Sequence, residues 1–381
     1  MKQTTFKYLK KMGTIIAILS GLIVTIGVLF VNLSPQFGGK ISKNQKALYQ
    51  TSKNYIDGKF MNTGDVKMNF STSEIFQMIG GYLNPPKNTA PDNSIPVIKV
   101  DSMDIVNHKL STTNLIWFGH SSFLLQLDEK NILIDPMFSE TPAPHPLLGS
   151  KRFNEEMPIE IEKLPFIDAV IISHDHYDHL DYETIQKLKE KVGNFYTPLG
   201  VGVHLKKWGI EENRIHEFDW WEGIKIDSIQ LTCTPAQHFS GRGLTDGGST
   251  LWSSWVIQSK EQSIFFSGDS GYGDHFKAIG EKFGPFDLAL MECGQYNELW
   301  SEIHMMPEET VQASLDINTK RMIPIHWGAF KLALHPWKDP IERVSNKALK
   351  YGLQVISPQI GERLLLNNLD GDKNNWWKPL D

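Results

Sequence analysis

The sequence predicts an α/β fold, with mixed sheets covered by helices, carried behind one membrane-spanning helix. Three observations predict it. Short apolar runs of strand character recur from Leu115 onward, with helix-like segments between some of them. Several of these runs end in a histidine or an aspartate, where a sheet delivers side chains to its rim. The segment Gly13 to Leu33, GTIIAILSGLIVTIGVLFVNL, runs for 21 residues without a charge.

The chain has 381 residues, 40% hydrophobic and 22% charged, which is enough apolar material for one large α/β unit plus an extension. The net charge is −6 and no basic run is present, so no nucleic-acid partner is expected: neutralising phosphates requires a basic face. Eleven Trp and twenty Phe point to apolar or lipid-facing surface as well as core. Cys233 and Cys293 form neither a CxxC nor a disulfide framework and read as two buried thiols, with a single bridge left open.

Taken in order, residues 1–33 read as an anchor. As a helix, the uncharged run spans about 30 Å, the thickness of a hydrocarbon core. Lys2, Lys7, Lys10 and Lys11 precede it and favour a cytoplasmic N-terminus, which places the rest of the chain on the extracytoplasmic side of the cell membrane. A cleavable signal peptide is the alternative, but the apolar run is long for one and it has no A-x-A site after it. Residues 34–101, rich in Asn, Lys, Ser and Pro, read as a linker and N-terminal extension. Within them Ser73 to Leu83, SEIFQMIGGYL, is an amphipathic segment expected to pack on the main unit, the other option being contact with lipid.

Residues 102–381 form the globular unit. Strand-like stretches include NLIWFGHSSFLLQL, NILIDPMF, DAVIISH, SIQLTCTPAQH, TLWSSWVIQS, SIFFSGDS, FDLALMECG, RMIPIHWGA and LQVISPQIGERLLL. YETIQKLKEKV, HFKAIGEKF, MPEETVQASLDI and IERVSNKALKYG read as helices, the third with Pro307, Glu308 and Glu309 suited to a first turn. No internal repeat is visible.

The chemistry concentrates where the run Ala169 to Ile172 ends in His-Asp-His-Tyr-Asp-His. His174 and His176 can reach one metal ion, and Asp178 and His179 can turn toward a second as the chain enters the next helix. Imidazole and carboxylate donors suit Zn²⁺, and also accept Mn²⁺ or Fe²⁺. Later runs end in His238, Asp269 (flanked by Gly268 and Gly271) and His326. Alone, each reads as a turn residue; together with the cluster, each reads as a ligand.

The order H-x-H-x-D-H, then His, Asp and His, resembles the metallo-β-lactamase superfamily of dinuclear metal hydrolases. That resemblance implies an αββα sandwich, two facing mixed sheets with outer helices and metals at their edge. Longer stretches, among them TPAQHFSGR, FFSGDSGY, MPEETV and IHWGAFKLA, resemble the N-acyl-phosphatidylethanolamine-hydrolysing phospholipase D family over roughly Leu115 to Leu366. The N-terminal anchor lies outside this likeness. By position it implies one metal held by His174, His176 and His238, another by Asp178, His179 and His326, and Asp269 as a bridge. It also implies Asp135 as a support behind the ligands, His304 as a contact to substrate or leaving group, and His120 as part of the site floor. His108, His145, His204, His216, His275 and His335 are left as ordinary residues.

The expected function is that of a membrane-anchored dinuclear-zinc phosphodiesterase acting on a phospholipid through a metal-bound hydroxide. Two divalent ions bring +4, against −3 from Asp178, Asp269 and the hydroxide; the remainder favours an anionic phosphodiester. The segment Ile75 to Leu83 and the loop around Met137, Phe138 and Leu147 are expected to form an apolar mouth. A lactonase, or a hydrolase of another envelope phosphodiester, shares the ligand set. A tethered scaffold with structural metal is the reading from another class; a closed, cysteine-rich site would mark it, and the sequence has none.

Overall fold

The computed structural model describes residues 2–64, 66, 70–107, 112–369 and 375–380; His108 lies outside the described residues. Two seven-stranded mixed sheets form its centre. In the first, the spatial order is Arg363–Leu365, Asn114–Trp117, Phe123–Leu127, Lys130–Ile134, Ile167–Ile171, Val192–Pro198 and Ile215–Phe218. In the second it is Gln354–Val355, Arg321–Ile325, Leu288–Glu292, Ser263–Phe266, Ser254–Gln258, Ile229–Thr234 and Gly223–Ile226. Each sheet has three antiparallel pairings on one side and three parallel pairings on the other. The two halves therefore share a pairing plan although the sequence shows no repeat. This is the sandwich of two facing mixed sheets with outer helices that the resemblance implies.

Strand periodicity explains the layers. Along the first sheet Leu115, Trp117, Phe123, Leu125, Ile132 and Ile134 turn to the core between the sheets. Alternate residues Ile116, Leu124, Leu133 and Val170 turn outward, onto Ile185 and Leu188 of helix Tyr182–Leu188. The second sheet is buried on both faces. Its outer face is covered by helices His275–Phe283, Pro307–Asp316 and Asp339–Leu349, through residues such as Ile279, Val311 and Val344. Cys233 and Cys293 are free, buried thiols. The stretch NLIWFGHSSFLLQL is two strands rather than one run, because Gly119 and His120 turn with φ of 90° and 55°.

The N-terminal helix, Lys2–Leu33, contains one stretch, Thr5–Leu33, long and apolar enough to cross a membrane. The segment after this helix is docked, not slack. Trp208 Nε1 donates to Pro35 O (2.8 Å), Arg242 Nε to Gln36 O (2.8 Å), and Gly39 N to His204 Nδ1 (3.2 Å). Gly38 has φ of 72°, and a Cβ there would sit 2.0 Å from His204 Nδ1; one on Gly39 would sit 2.4 Å from Val203 O. Beyond this strap, Tyr49, Phe60 and Ile95 of the extension are buried in the main core.

Helix Thr72–Leu83 departs from the expectation of simple packing. It has no buried residue, and Phe76 and Leu83 are 68% and 82% exposed. Only an edge touches the main unit, where Tyr82 Oη donates to Leu332 O (2.8 Å). Its capping box, Ser71 with Glu74, closes the first turn, so local bonding supports a helix that packing alone does not.

Gly38→Val should push the strap off His204. Limited proteolysis of the detergent-solubilised full chain should then cut between residues 34 and 42 severalfold faster, with the core of the globular unit intact. An unchanged cleavage rate would show that the strap is not held by this contact.

Candidate metal centre

The strand ends of both sheets converge on one rim. From the first sheet, strand Ile167–Ile171 runs through Ile172 and Ser173 into His174, His176, Asp178 and His179; Asp181 then caps helix Tyr182–Leu188 by accepting from Thr184 N. From the second sheet come His238 after Ile229–Thr234, Asp269 after Ser263–Phe266, and His326 after Arg321–Ile325. Trp255 joins the two halves: its Nε1 donates to Ile172 O at 3.0 Å, just before the histidine loop.

All seven residues marked from the sequence come together. His174 Nε2 lies 2.9 Å from His176 Nδ1, and His238 Nε2 lies 3.2 Å from the same atom. Asp178 Oδ2 is 3.1 Å from His326 Nε2 and 3.4 Å from His179 Nε2. Asp269 Oδ2 stands between the two groups, 3.2 Å from both His179 Nε2 and His326 Nε2, 3.8 Å from His174 Nε2 and 3.9 Å from His238 Nε2. Nitrogens and carboxylate oxygens that converge this closely, with His179 Nε2 and Asp269 Oδ1 buried and without a hydrogen-bond partner, fit divalent cations.

The turn that carries Asp269 needs both its glycines, for different reasons. Gly268 has φ of 56° and a Cβ on it would meet Ser253 O at 2.7 Å. Gly271 lies so near the chain at Glu302 that a Cβ would fall 1.9 Å from its carbonyl oxygen.

Three supporting groups surround the ligands. Asp135 is fully buried and accepts from Ser173 N, Ser173 Oγ and His179 Nδ1 (2.6 Å), which turns His179 Nε2 toward the rim. His120 does more than line a floor: its Nε2 is 2.9 Å from Asp178 Oδ2, and it groups with Asp178, His179 and His326 as a further donor. Burial and then the neighbouring His326 lower its pKa to about 3, so it stands as a neutral imidazole. His304, expected near substrate, lies at the site. Its ring stacks on that of His326 at 5.3 Å, and its Nδ1 bonds Glu292 Oε1.

Glu292 is the residue the sequence reading missed. It ends strand Leu288–Glu292, is fully buried, accepts from Ser270 N and His304 Nδ1, and has Oε1 3.3 Å from His326 Nδ1. One carboxyl group thus ties the loop after Asp269, the segment of His304 and the ring of His326. Its signal was a glutamate closing an all-apolar strand, FDLALME, where burying a carboxyl needs a reason. Counting Glu292 lowers by one the +1 balance inferred from sequence.

His204 and Asp175 also gain a role. Asp175, inside the histidine motif, is fully buried and accepts from Gly241 N (2.8 Å) and Thr250 Oγ1 (2.8 Å), with His204 Nε2 at 3.2 Å. Arg242 Nη1 donates to Asp175 O (2.6 Å) and Leu180 O (2.8 Å), so both ends of the ligand loop hang from one guanidinium stacked on Tyr177. Met137 and Phe138, expected at an apolar mouth, are instead buried: Met137 N bonds Ser122 Oγ and Phe138 packs on Phe118. Leu147, 87% exposed, does reach the surface, in the loop whose His145 ring stands 6.2 Å from Phe30 of the N-terminal helix.

The electrostatics divide the histidines. Burial, then His179 beside it, holds His174 well below its ordinary pKa; burial and then His304 do the same for His238. Burial acts on His179 and His326 too, but Asp269 and Asp178 outweigh it, raising His179 well above its ordinary value and His326 to about 10. A cation entering between these carboxylates competes with protons, so metal affinity should fall as pH falls. Chelator competition at pH about 8 and about 6 should show weaker retention at the lower value. Glu292→Gln should weaken retention by roughly 10- to 100-fold, the scale for partners of metal-bound histidines, while Asp269→Ala should strip most of the metal. Elemental analysis after gel filtration checks both, and full retention by either variant would contradict the geometry.

The comparisons with known proteins agree with this geometry. A model of the beta-lactamase superfamily domain matches residues 130–327. An uncharacterized protein of Mycobacterium tuberculosis is 38% identical over 335 residues, 87% of this chain and 89% of its own. The N-acyl-phosphatidylethanolamine-hydrolyzing phospholipase D 1 of Caenorhabditis elegans is 32% identical over 260 residues, 65% of this chain and 72% of its own. An isothiocyanate hydrolase from Delia radicum gut bacteria superposes with a TM-score of 0.53 at 22% identity, covering 66% of this chain and 98% of that one, which shows the shared fold. The chain belongs to the metallo-β-lactamase superfamily, as a metal-dependent hydrolase related to the N-acyl-phosphatidylethanolamine-hydrolysing phospholipases D.

Proposed function

We propose that the protein is a membrane-anchored, dinuclear-zinc phosphodiesterase that hydrolyses a phospholipid on the head-group side of phosphorus. The observation that carries this reading is the composition of the cleft over the metal centre. It measures about 290 Å³; His176, Asp178, Asp269, Gln295, His304 and His326 line its polar part, and Phe70, Met78, Phe239, Trp300, Ile303 and Leu332 the remainder. A charged floor beneath apolar walls suits a substrate with an ionic reacting centre and apolar chains. Helix Thr72–Leu83 supports the same reading, with Met78 toward the cleft and Ile75, Phe76, Ile79 and Leu83 exposed on its surface.

In this reading His174, His176 and His238 hold one ion, Asp178, His179 and His326 the other, and Asp269 both. Bound divalent ions would supply an acidified water as nucleophile and a positive clamp for phosphate oxygens. The chain's own groups do the rest. Asp135 and Glu292 keep His179 and His326 oriented. Glu292 engages Nδ1 of His304, which leaves Nε2 as the atom able to accept a proton or return one to the departing oxygen.

Incubating the zinc-loaded full chain with N-acyl-phosphatidylethanolamine in ¹⁸O-labelled water should give phosphatidic acid with the label on phosphorus. His304→Ala should lower turnover by about 10²- to 10⁴-fold, the range for a lost proton-transfer group, with metal content unchanged. Label in a carboxyl group would replace this reading with a lactonase or esterase. The extracytoplasmic placement has its own check: protease added to intact cells, or to spheroplasts, should digest the globular unit, and complete protection until lysis would refute it.

A further inference from the structure

We propose that the cleft between the end of the N-terminal helix and the globular unit binds an anionic phospholipid, apart from the metal centre. The proposal rests on the reading of that helix as a membrane anchor. The cleft is large, about 800 Å³, well above the 290 Å³ of the cleft over the metals. Val28, Val31 and Leu33 of the helix line it, together with Phe37, Val203 and Lys207. Lys40 and Lys46 complete the rim.

The order of these groups along the helix matches the profile of a bilayer leaflet. Val28 to Leu33 end the uncharged run, at acyl-chain depth. Lys40 and Lys46 come after it in the chain, at head-group depth, and Lys207 joins them from helix Gly202–Lys207 of the globular unit. A soluble anion has no use for the apolar wall, and a neutral lipid none for the lysines. A zwitterionic choline lipid would bring its own cation against them. An anionic phospholipid satisfies both halves.

The lysines are free to act. Among the described residues neither Lys46 nor Lys207 has an acidic partner, whereas the adjacent Lys206 pairs with Glu212 at 2.7 Å. Lys40 Nζ donates to the neutral Asn32 Oδ1, at 3.1 Å, and has no acidic partner among the described residues. Asp246 is the one acid lining the cleft among the described residues, and its carboxylate accepts from the N–H groups of Arg242 (3.2 Å) and Gly243 (2.8 and 3.0 Å). The inner wall includes His204 and Thr250, the groups that hold Asp175 between His174 and His176. A lipid seated here therefore packs against the residues that support the metal loop.

The test uses the full chain in two steps. Flotation with vesicles first checks the anchor: a chain left in the soluble fraction overturns both the anchor reading and this proposal. The floated protein is then taken into mild detergent with phosphatidylglycerol or phosphatidylcholine and examined by native mass spectrometry. We expect one phosphatidylglycerol per chain, retained roughly tenfold better than phosphatidylcholine, and loss of that preference in the combined variant Lys40→Gln, Lys46→Gln, Lys207→Gln. Metal content of the variant, expected to be unchanged, reports that it is folded. Equal retention of the two lipids, or a preference that survives the three substitutions, overturns the proposal. Because the readout is bound lipid, it stands or falls whether or not the metal centre cleaves phosphodiesters.

Discussion

The site depends first on a carboxyl group buried behind it. Asp135 sits at the end of strand Lys130–Ile134, fully buried with φ of 37°, and binds Ser173 and His179. A carboxyl group in an apolar interior is costly unless its oxygens are satisfied. The surrounding core therefore holds the Ser173 backbone and the His179 ring in place as firmly as it excludes water. Burial pushes the Asp135 pKa up while the His179 bond pulls it down, so the partner is part of what makes the position tolerable.

Glu292 repeats that logic in the second sheet. Its strand lies between those leading to Asp269 and His326, paired parallel with both, as the strand before Asp135 pairs parallel with that of the histidine motif. Each sheet thus contributes one buried acid beside the rim: Asp135 stands behind the ring of His179, and Glu292 groups with Asp269, His304 and His326. The two acids are not at equivalent places: Asp135 follows the strand where antiparallel pairing gives way to parallel, and Glu292 ends the next strand along.

Much of this was legible in the residues. Three histidines and two aspartates in six positions leave few readings other than metal, and His238, Asp269 and His326 each come after an apolar strand. Glu292 was not legible, because one acid closing a strand has no spacing to mark it; only the packing shows His304 and His326 beside it. The shared plan of the two halves was hidden for a related reason. Strand pairing is a relation between distant segments, and sequences as different as FLLQL and SWVIQ occupy corresponding antiparallel places. The expected mouth at Met137 and Phe138 failed because adjacency in sequence to an exposed loop says nothing about depth: Ser122 draws Met137 N inward. The strap at Pro35 to Gly39 looked like linker because Pro, Gly and Lys are turn formers, yet glycine is also what a close backbone approach requires.

That strap has a mechanical consequence. With Gly38 against His204 and Gly39 against Val203, the chain just after the helix is held against the hydrolase unit. A helix adjusts to bilayer thickness mainly by leaning. In the anchored reading proposed above, its uncharged run roughly matches an average hydrocarbon core, so a thinner membrane would make it lean and would tilt the mouth of the cleft through the strap. In that reading membrane thickness, set by lipid composition rather than by any ligand, would bear on how the mouth of the cleft meets the bilayer and not on the spacing of the residues within it.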